Sequence, residues 1–194
     1  MNIWHDIDPA EITPEDFTAV VEIPRGSSCK YELDKKTGLV RLDRVLYTAT
    51  HYPANYGFIP RTLADDGDPL DVLVLCTESL YPLTLVRVAP IGAMRMIDSG
   101  KLDDKIIAVP FSDPTYLGVK SMDELPPHVL AEIRHFFTVY KQLENKQTAV
   151  REMFSREEAV EIIRTCIRQY GEAFSEKTEA RQLRIGYLPC SGPG

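Results

Sequence analysis

The sequence lacks the features of membrane and secreted proteins. Its longest uninterrupted apolar run covers residues 72–76, whereas a membrane-spanning helix needs about 20 apolar residues. The residues after Met1 form neither a basic segment nor an apolar stretch, so we expect no secretory signal. We therefore predict a cytoplasmic protein without a membrane partner.

Cysteine and positive charge are also scarce. The four cysteines are far apart and form no C-x-x-C pair, which predicts free thiols rather than a zinc or redox site. There are 22 Lys and Arg against 29 Asp and Glu, so the net charge is −7. Nonspecific binding to nucleic acid requires a basic surface, so we expect no nucleic-acid partner. A polyanionic substrate stays possible, because bound metal ions reverse the sign of a site locally.

Short β-type segments fill the first two thirds of the 194-residue chain, and helical segments follow. Apolar runs predict strands, and alternation around a central turn predicts a hairpin over residues 30–43. Apolar residues at helical spacing follow Pro127 and extend to Leu143. A second helix is predicted from Ser155, with Gly171 as a stop or weak point. The strand predictions cover residues 20–23, 72–75, 85–88 and 106–109. We predict one α+β domain over residues 1–175 and a tail of unknown role over residues 176–194.

The densest charge lies in the acidic segment, residues 65–71, which leads directly into the apolar run. A solvated turn is the simplest interpretation of such a segment. However, two carboxylates ~5 Å apart repel by roughly 3 kcal/mol at an effective dielectric of ~20, so crowding them beside a buried strand favours a bound cation. An EF-hand is excluded because Thr77 stands where that loop needs its Glu. Mg²⁺ fits better, because its coordination shell is normally completed by water and by phosphate oxygens of a substrate. A second acidic group, Asp98, Asp103 and Asp104, is expected at the same opening.

Phosphate chemistry also needs fixed donors of positive charge and hydrogen bonds. The candidates among the basic residues are Lys30, Arg44 and Lys141, and Tyr56 and Tyr140 carry phenolic hydroxyls. Each of these residues taken alone is most simply explained as a surface or core residue. From residues alone, the prediction is therefore Mg²⁺-dependent phosphate chemistry and no more.

The chain resembles the family I soluble inorganic pyrophosphatases of bacteria. The family signature D-x-D-P-x-D-V stands here at residues 66–72. Further segments match the family in order and spacing across roughly residues 5–170: VEIP, KYE, DR, YPANYG and HFF, followed by YK. The resemblance implies a small closed five-stranded β-barrel, OB-like, with long loops and two flanking C-terminal helices. It also implies hydrolysis of pyrophosphate to two orthophosphates, and a homohexamer.

The resemblance further implies two Mg²⁺ in the resting site and more with substrate, with Mn²⁺ or Zn²⁺ as possible substitutes. Asp68 would orient the attacking water and accept its proton. Glu22 and Lys105 would be supporting polar residues. The implied metal ligands are Asp66, Asp71, Asp98, Asp103 and Glu32, with Asp71 bridging the resting pair. The implied substrate-binding residues are Lys30, Arg44, Tyr56, Tyr140 and Lys141.

Three other functions compete with this hypothesis. A nucleic-acid-binding OB-fold would need a basic groove with stacking aromatics, which the charge of −7 argues against. A noncatalytic metal-binding protein would release no phosphate. A nucleotide phosphohydrolase would be expected to carry a G-x-x-x-x-G-K-[ST] loop, which the sequence lacks. The sequence also departs from the family, because residues 146–154 lack the tryptophans often found between the two helices, and Trp4 is the only tryptophan.

Overall fold

A computed structural model describes the backbone of residues 2–185 and the side chains of residues 2–174. The predicted tail, residues 176–194, is therefore described only as backbone over residues 176–185, and residues 186–194 lie outside the described part of the chain. Among residues 2–185, no helix combines the length and apolarity that a membrane crossing needs. The strands are β1 (Phe17–Ile23), β2 (Cys29–Leu33), β3 (Val40–Val45), β4 (Asn55–Phe58), β5 (Asp71–Val74), β6 (Leu85–Asp98), β7 (Lys101–Pro110) and β8 (Thr148–Phe154). The helices are α1 (Pro127–Val139) and α2 (Arg156–Ile185).

Five strands close into a ring in the order β1-β4-β5-β7-β6, because β6 pairs back onto β1. All these pairings are antiparallel except β5–β7, which is parallel. The long strand β6 pairs with β1 over Leu85–Val88, and after an irregularity at Pro90 it pairs with β8. Strands β2 and β3 form a separate hairpin. The predicted α+β class with a closed five-stranded barrel and two C-terminal helices is confirmed.

Apolar side chains are buried on both faces of the central strands. Leu73 of β5 packs in a core with Phe136 and Phe137 of α1, whereas Val72 packs in a second core with Ile163 of α2. Because both strand faces are buried, β5 and the second half of β7 have continuous apolar sequences instead of an alternating pattern. This double burial explains why those runs were visible in the sequence.

The helix starts were predicted more accurately than the helix ends. Ser155 and Glu158 form the reciprocal capping box before α2, with N···O distances of 2.8 and 3.3 Å. The predicted stop at Gly171 is wrong, because α2 continues to Ile185. A single helical glycine costs only about 1 kcal/mol, which tertiary contacts easily offset. The first helix ends at Val139, so Leu143 lies in a following 3₁₀ turn.

Two strands were missed. Asn55–Phe58 form β4, a segment that no strand prediction covers, and Gly57 there lies opposite Val21 of β1. A Cβ atom at Gly57 would lie 1.8 Å from the carbonyl oxygen of Val20, so this strand pairing requires glycine. The connection between the helices likewise contains β8, whose charged positions masked its strand character.

Candidate active site

A cleft of about 300 Å³ opens between the barrel, the β2–β3 hairpin and the end of α1. The acids that line it outnumber the lysines, so the cleft is strongly polar and negative. The lining acids are Glu22, Glu32, Asp66, Asp68, Asp71, Asp98 and Asp103, and the lining lysines are Lys30, Lys35, Lys105 and Lys141. Except for Arg44, all the predicted metal-binding, substrate-binding and catalytic residues lie around this one cleft.

The floor of the cleft consists of Tyr56, Asp71, Asp103 and Lys105. The parallel β5–β7 pairing aligns Asp71 with Lys105. The Lys105 ammonium lies 2.7 Å from Asp71 Oδ2, 2.9 Å from Asp103 Oδ1 and 3.0 Å from the Tyr56 hydroxyl. Tyr56 in turn donates a hydrogen bond to Asp71. The barrel register therefore holds one cation between two carboxylates.

Burial and neighbouring charges shift the pKa values of the floor residues Lys105 and Asp103 in opposite directions. Lys105 is only 2% exposed; burial alone would lower its pKa, but Asp71, Tyr56 and Asp103 outweigh that effect and raise it. Burial is the main cause of the raised pKa of Asp103, and Lys105 partly offsets it. Burial also raises the pKa of Tyr56 strongly, so this phenol stays protonated and acts as a hydrogen-bond donor.

Glu22 of β1 lies beside the floor and is almost fully buried. Burial, reinforced by the nearby Asp71, raises the pKa of its carboxyl to about 8. Its Oε1 accepts a hydrogen bond of 2.6 Å from the Leu33 backbone N–H. Glu22 therefore links the barrel to the hairpin and carries a proton near neutral pH.

The rim of the cleft consists of Lys30, Glu32, Lys35 and Asp68. Lys30 pairs with Glu32 along β2, because side chains two residues apart on a strand lie on the same face. Lys35 pairs with Asp68, and these two side chains are 46% and 57% exposed. The carbonyl of Asp68 accepts from the Ala64 N–H at 2.8 Å, and its own N–H donates to Asp66 Oδ1 at 3.0 Å. The rim therefore rests on turns and a hairpin.

The end of α1 supplies Tyr140 and Lys141. Tyr140 is the C-cap residue of α1, which ends at Val139, and Lys141 lies beyond the helix, yet both side chains line the cleft. Lys141 pairs with Asp98; burial opposes ionisation of Asp98, but Lys141 outweighs it and lowers the Asp98 pKa. Burial lowers the pKa of Lys141 itself and raises that of Tyr140.

Three predicted residues lie apart from the cleft. Arg44 pairs across the hairpin with Lys30, but its guanidinium binds Asp43 and, at 2.8 Å, Glu144. Asp104 was expected at the same opening as Asp103, yet strand alternation turns it away and Arg95 binds it through two hydrogen bonds of 2.7 and 2.6 Å. Asp65 likewise turns towards α2, where Gln169 donates to it at 3.1 Å.

The donor chemistry of the cleft fits Mg²⁺. Within the described residues, no three His, Cys, Asp or Glu side chains form a ready-made metal cage. In this arrangement, ammonium groups contact Glu32, Asp68, Asp71, Asp98 and Asp103. Mg²⁺ is usually held by one or two carboxylates and several waters, not by a dedicated protein cage. Carboxylates around an open polar cleft match that preference.

Comparison with known proteins identifies the family. Residues 19–171 match the family model described as "Pyrophosphatase: Inorganic pyrophosphatase". The chain belongs to the inorganic pyrophosphatase family. The predicted family and the predicted enzyme class, inorganic diphosphatase, are therefore confirmed.

Several soluble inorganic pyrophosphatases are similar to this family member. The chain is 49% identical over 171 residues to soluble inorganic pyrophosphatase 2 of Chlamydomonas reinhardtii, covering 88% of this chain and 89% of that protein. It is 54% identical over 168 residues to soluble inorganic pyrophosphatase of Oryza sativa subsp. japonica, covering 87% and 78%. The crystal structure of inorganic pyrophosphatase from Thermus thermophilus matches with a TM-score of 0.82 and 42% identity, over 88% of this chain and 99% of that one.

This pyrophosphatase cleft is also lined by side chains that were not predicted as site residues. Lys35 and Trp4 both line the cleft, although they come from the hairpin tip and the N-terminal segment. The sequence contains little indication of this position, because Lys35 lies in an ordinary polar turn and Trp4 is remote in sequence from the family motifs. Their proximity arises only when the hairpin folds over the barrel.

Proposed function

We propose that this chain hydrolyses inorganic pyrophosphate to two orthophosphates in a Mg²⁺-dependent reaction. The observation that carries the proposal is that one cleft gathers seven acids, four lysines and the phenols of Tyr56 and Tyr140. Such a site has carboxylates for metal ions and fixed donors for phosphate oxygens in the same space. Binding of a cation or an anion alone would need only one of these sets.

The acids divide by role under this proposal. Asp66, Asp71 and Asp103 would hold the two resting metal ions. Asp98 and Glu32 would help to hold those that arrive with substrate. When bound, Mg²⁺ supplies charge neutralisation for phosphate oxygens and acidifies water. Mn²⁺ and Zn²⁺ are expected substitutes, since oxygen ligands accept them as well.

The chain's own donors would bind the substrate. Lys30, Lys141, Tyr56 and Tyr140 would donate to the nonbridging phosphate oxygens, and Arg44 would join them from beside the cleft. Positively charged and phenolic donors that are fixed in place stabilise the charge that develops as phosphate leaves. The pKa shifts of Tyr56 and Tyr140 support this role, because both phenols keep the proton that they donate.

Asp68 would orient the attacking water and accept its proton. Its side chain is exposed to the cleft on a turn, which suits a group that exchanges protons with solvent. We expect Asp68→Asn to lower kcat by about 10²–10⁴-fold, because an amide keeps a hydrogen bond but cannot take the proton. Mg²⁺ affinity measured by calorimetry should stay unchanged.

Asp65→Asn is the matched control for Asp68→Asn, since Asp65 lies in the same acidic segment but faces α2. It should keep wild-type kcat. Full activity in Asp68→Asn would remove Asp68 from the proton-accepting role.

The activity itself is tested by phosphate release from pyrophosphate and from ATP, each with Mg²⁺ and with EDTA. We expect rapid release from pyrophosphate with Mg²⁺, little from ATP, and none with EDTA. A protein that binds Mg²⁺ but releases no phosphate from pyrophosphate would overturn the proposal.

We further propose that residues 1–175 form the catalytic unit of a cytoplasmic homohexamer, as the resemblance to bacterial family members implies. Light scattering coupled to size exclusion should give a mass six times that of the chain. A monomeric mass with full activity would reject the hexamer and leave the catalytic proposal intact.

A further inference from the structure

The tip of the β2–β3 hairpin reaches over the acidic segment. Lys35 lies in the turn between the two strands, and its ammonium contacts the Asp68 carboxylate. Among the residues that the structure describes, Lys35 is the one whose side chain forms a hydrogen bond and an ion pair with that carboxylate. The Asp68 side chain is more than half exposed, so little else restricts where it points.

The indole of Trp4 supports Lys35 from the other side. The Lys35 ammonium lies 5.0 Å from the centre of the Trp4 ring, within the range of a cation–π contact. The Asn2 side-chain amide also donates to the Lys35 carbonyl at 3.3 Å. The N-terminal segment thus holds both the backbone and the side chain of Lys35.

Trp4 itself is firmly held. It is 5% exposed, its Nε1–H donates to the Thr62 carbonyl at 2.9 Å, and its own carbonyl accepts from the Arg61 N–H at 2.9 Å. Its ring packs edge-on against Phe174 of α2, 5.4 Å between centres. Thr62 Oγ1 accepts from the Leu70 N–H at 2.9 Å. Trp4 is therefore anchored to Arg61 and Thr62 near the start of the loop that carries Asp68, and Thr62 ties that part of the loop to Leu70 at its end.

We propose that Trp4 and Lys35 are positioning residues for the catalytic step, with Trp4 holding Lys35 and Lys35 aiming the Asp68 carboxylate. This inference rests on the proposed function. An exposed lysine–carboxylate pair is weak on its own, because the side-chain entropy lost in ordering two flexible side chains offsets most of the electrostatic attraction between them. A rigid aromatic surface that restricts the lysine removes part of that cost.

The first test compares Lys35→Met with Lys36→Met, which removes the same charge from the next residue of the turn. Lys36 does not line the cleft. We expect Lys35→Met to lower kcat about 10-fold with little change in KM, because misplacing a catalytic group by 1 Å costs up to about 10²-fold. Lys36→Met should match wild type in both constants.

Conservative variants separate positioning from general structure. Lys35→Arg keeps a cation that stacks on indole and binds a carboxylate, so it should restore most of kcat. Trp4→Phe keeps a ring under Lys35, whereas Trp4→Leu does not. We expect Trp4→Leu to lower kcat as Lys35→Met does, and the double variant to lose no more than either single one. Circular dichroism checks that each variant is folded.

The contact can also be measured without activity. Since the chain has one tryptophan, all indole fluorescence comes from Trp4. Lys35→Met should shift this emission, and Lys36→Met should not. If wild type releases no phosphate, the proposed function fails, while the emission still tests the contact.

The inference is overturned by a raised KM with unchanged kcat in Lys35→Met, which would make Lys35 a substrate-binding residue. Additive losses in the double variant would equally overturn it, because Trp4 would then act independently of Lys35.

Discussion

At the floor of the cleft, Lys105 is almost fully buried and reaches Asp71, Asp103 and Tyr56 within 3.0 Å. At the rim, Lys35 and Asp68 also form an ion pair, but about half of each side chain faces solvent. The floor is built by neighbouring barrel strands, whereas the rim is built by a hairpin turn and a loop. The same kind of charge pair thus stands in two very different environments.

The difference teaches which part of the site is fixed and which is adjustable. Buried charges interact strongly, and water cannot reach them to take the place of a missing partner. Removing one member of a buried pair therefore leaves the other charge uncompensated. Exposed pairs are worth about 0–1 kcal/mol and depend on their surroundings for orientation. We expect floor substitutions to lower stability as well as activity, and rim substitutions to lower activity with little effect on stability.

The sharpest test of this comparison uses two glycines. Gly57→Ala puts a methyl group 1.8 Å from the Val20 carbonyl oxygen at the β1–β4 pairing beside Tyr56. We expect a loss of at least about 4 kcal/mol in the free energy of unfolding, or failure to fold. Gly67→Ala, in the acidic segment, meets no atom within 4 Å but has φ +88°, so it should cost only about 1–2 kcal/mol.

Urea denaturation measures both glycine variants. A Gly57→Ala protein that is as stable as Gly67→Ala would show that the barrel does not constrain the floor.

Lys105→Met tests the floor charge itself. In EDTA at neutral pH, we expect it to lower the free energy of unfolding by about 3–5 kcal/mol, because Asp71 and Asp103 lose their counter-charge. Lys35→Met removes the same charge from the rim and should cost less than about 1 kcal/mol. Equal losses for the two variants, measured by urea denaturation, would abolish the distinction between floor and rim.

Glu22 gives a smaller effect that depends on pH. Its pKa is raised from 4.5 to about 8 by burial, so the folded state keeps a proton that the unfolded state loses above pH 4.5. Stability is therefore fullest below pH 4.5 and falls by about 1.4 kcal/mol per pH unit as pH rises towards 8, which amounts to about 2.5 kcal/mol between pH 5 and pH 7. Glu22→Gln should remove this fall.

The measurement for Glu22 is the stability difference between wild type and Glu22→Gln at several pH values in EDTA. All other titrating groups are common to both proteins, so the difference isolates Glu22. An unchanged difference from pH 5 to pH 8 would show that Glu22 ionises normally in the folded protein.

Local patterns were sufficient for much of the fold. The run beginning at Val72 and the run ending at Val109 were visible as strands because both faces are buried. The start of α2 was visible because its capping box is a contact between residues three positions apart. Strand β4 was missed because a short segment containing Asn and Gly becomes a strand only through its partners β1 and β5.

The site residues likewise divide into those that local sequence patterns indicate and those that only the folded structure brings together. Charge crowding within a few residues pointed to Asp66, Asp68 and Asp71 and to the second acidic group. Residue type suggested the basic and phenolic donors, and the family resemblance assigned the individual roles and added Glu32. The buried triad of Lys105 with Asp71 and Tyr56 needed the β5–β7 register, and Lys35 with Trp4 needed the hairpin to fold over the barrel. Likewise, strand alternation alone determines that Asp103 faces the cleft and Asp104 faces Arg95.

Residue order along the chain was enough to indicate a polar phosphate site in an α+β barrel, because charge crowding, apolar runs and helix caps are interactions between near neighbours. Strand register, together with loops that meet from distant parts of the chain, determines which charges are buried, which form ion pairs and which lie at the solvent-exposed edge of the cleft. Those contacts are determined by packing, since a buried ion needs its partner within about 3 Å whatever their separation in sequence.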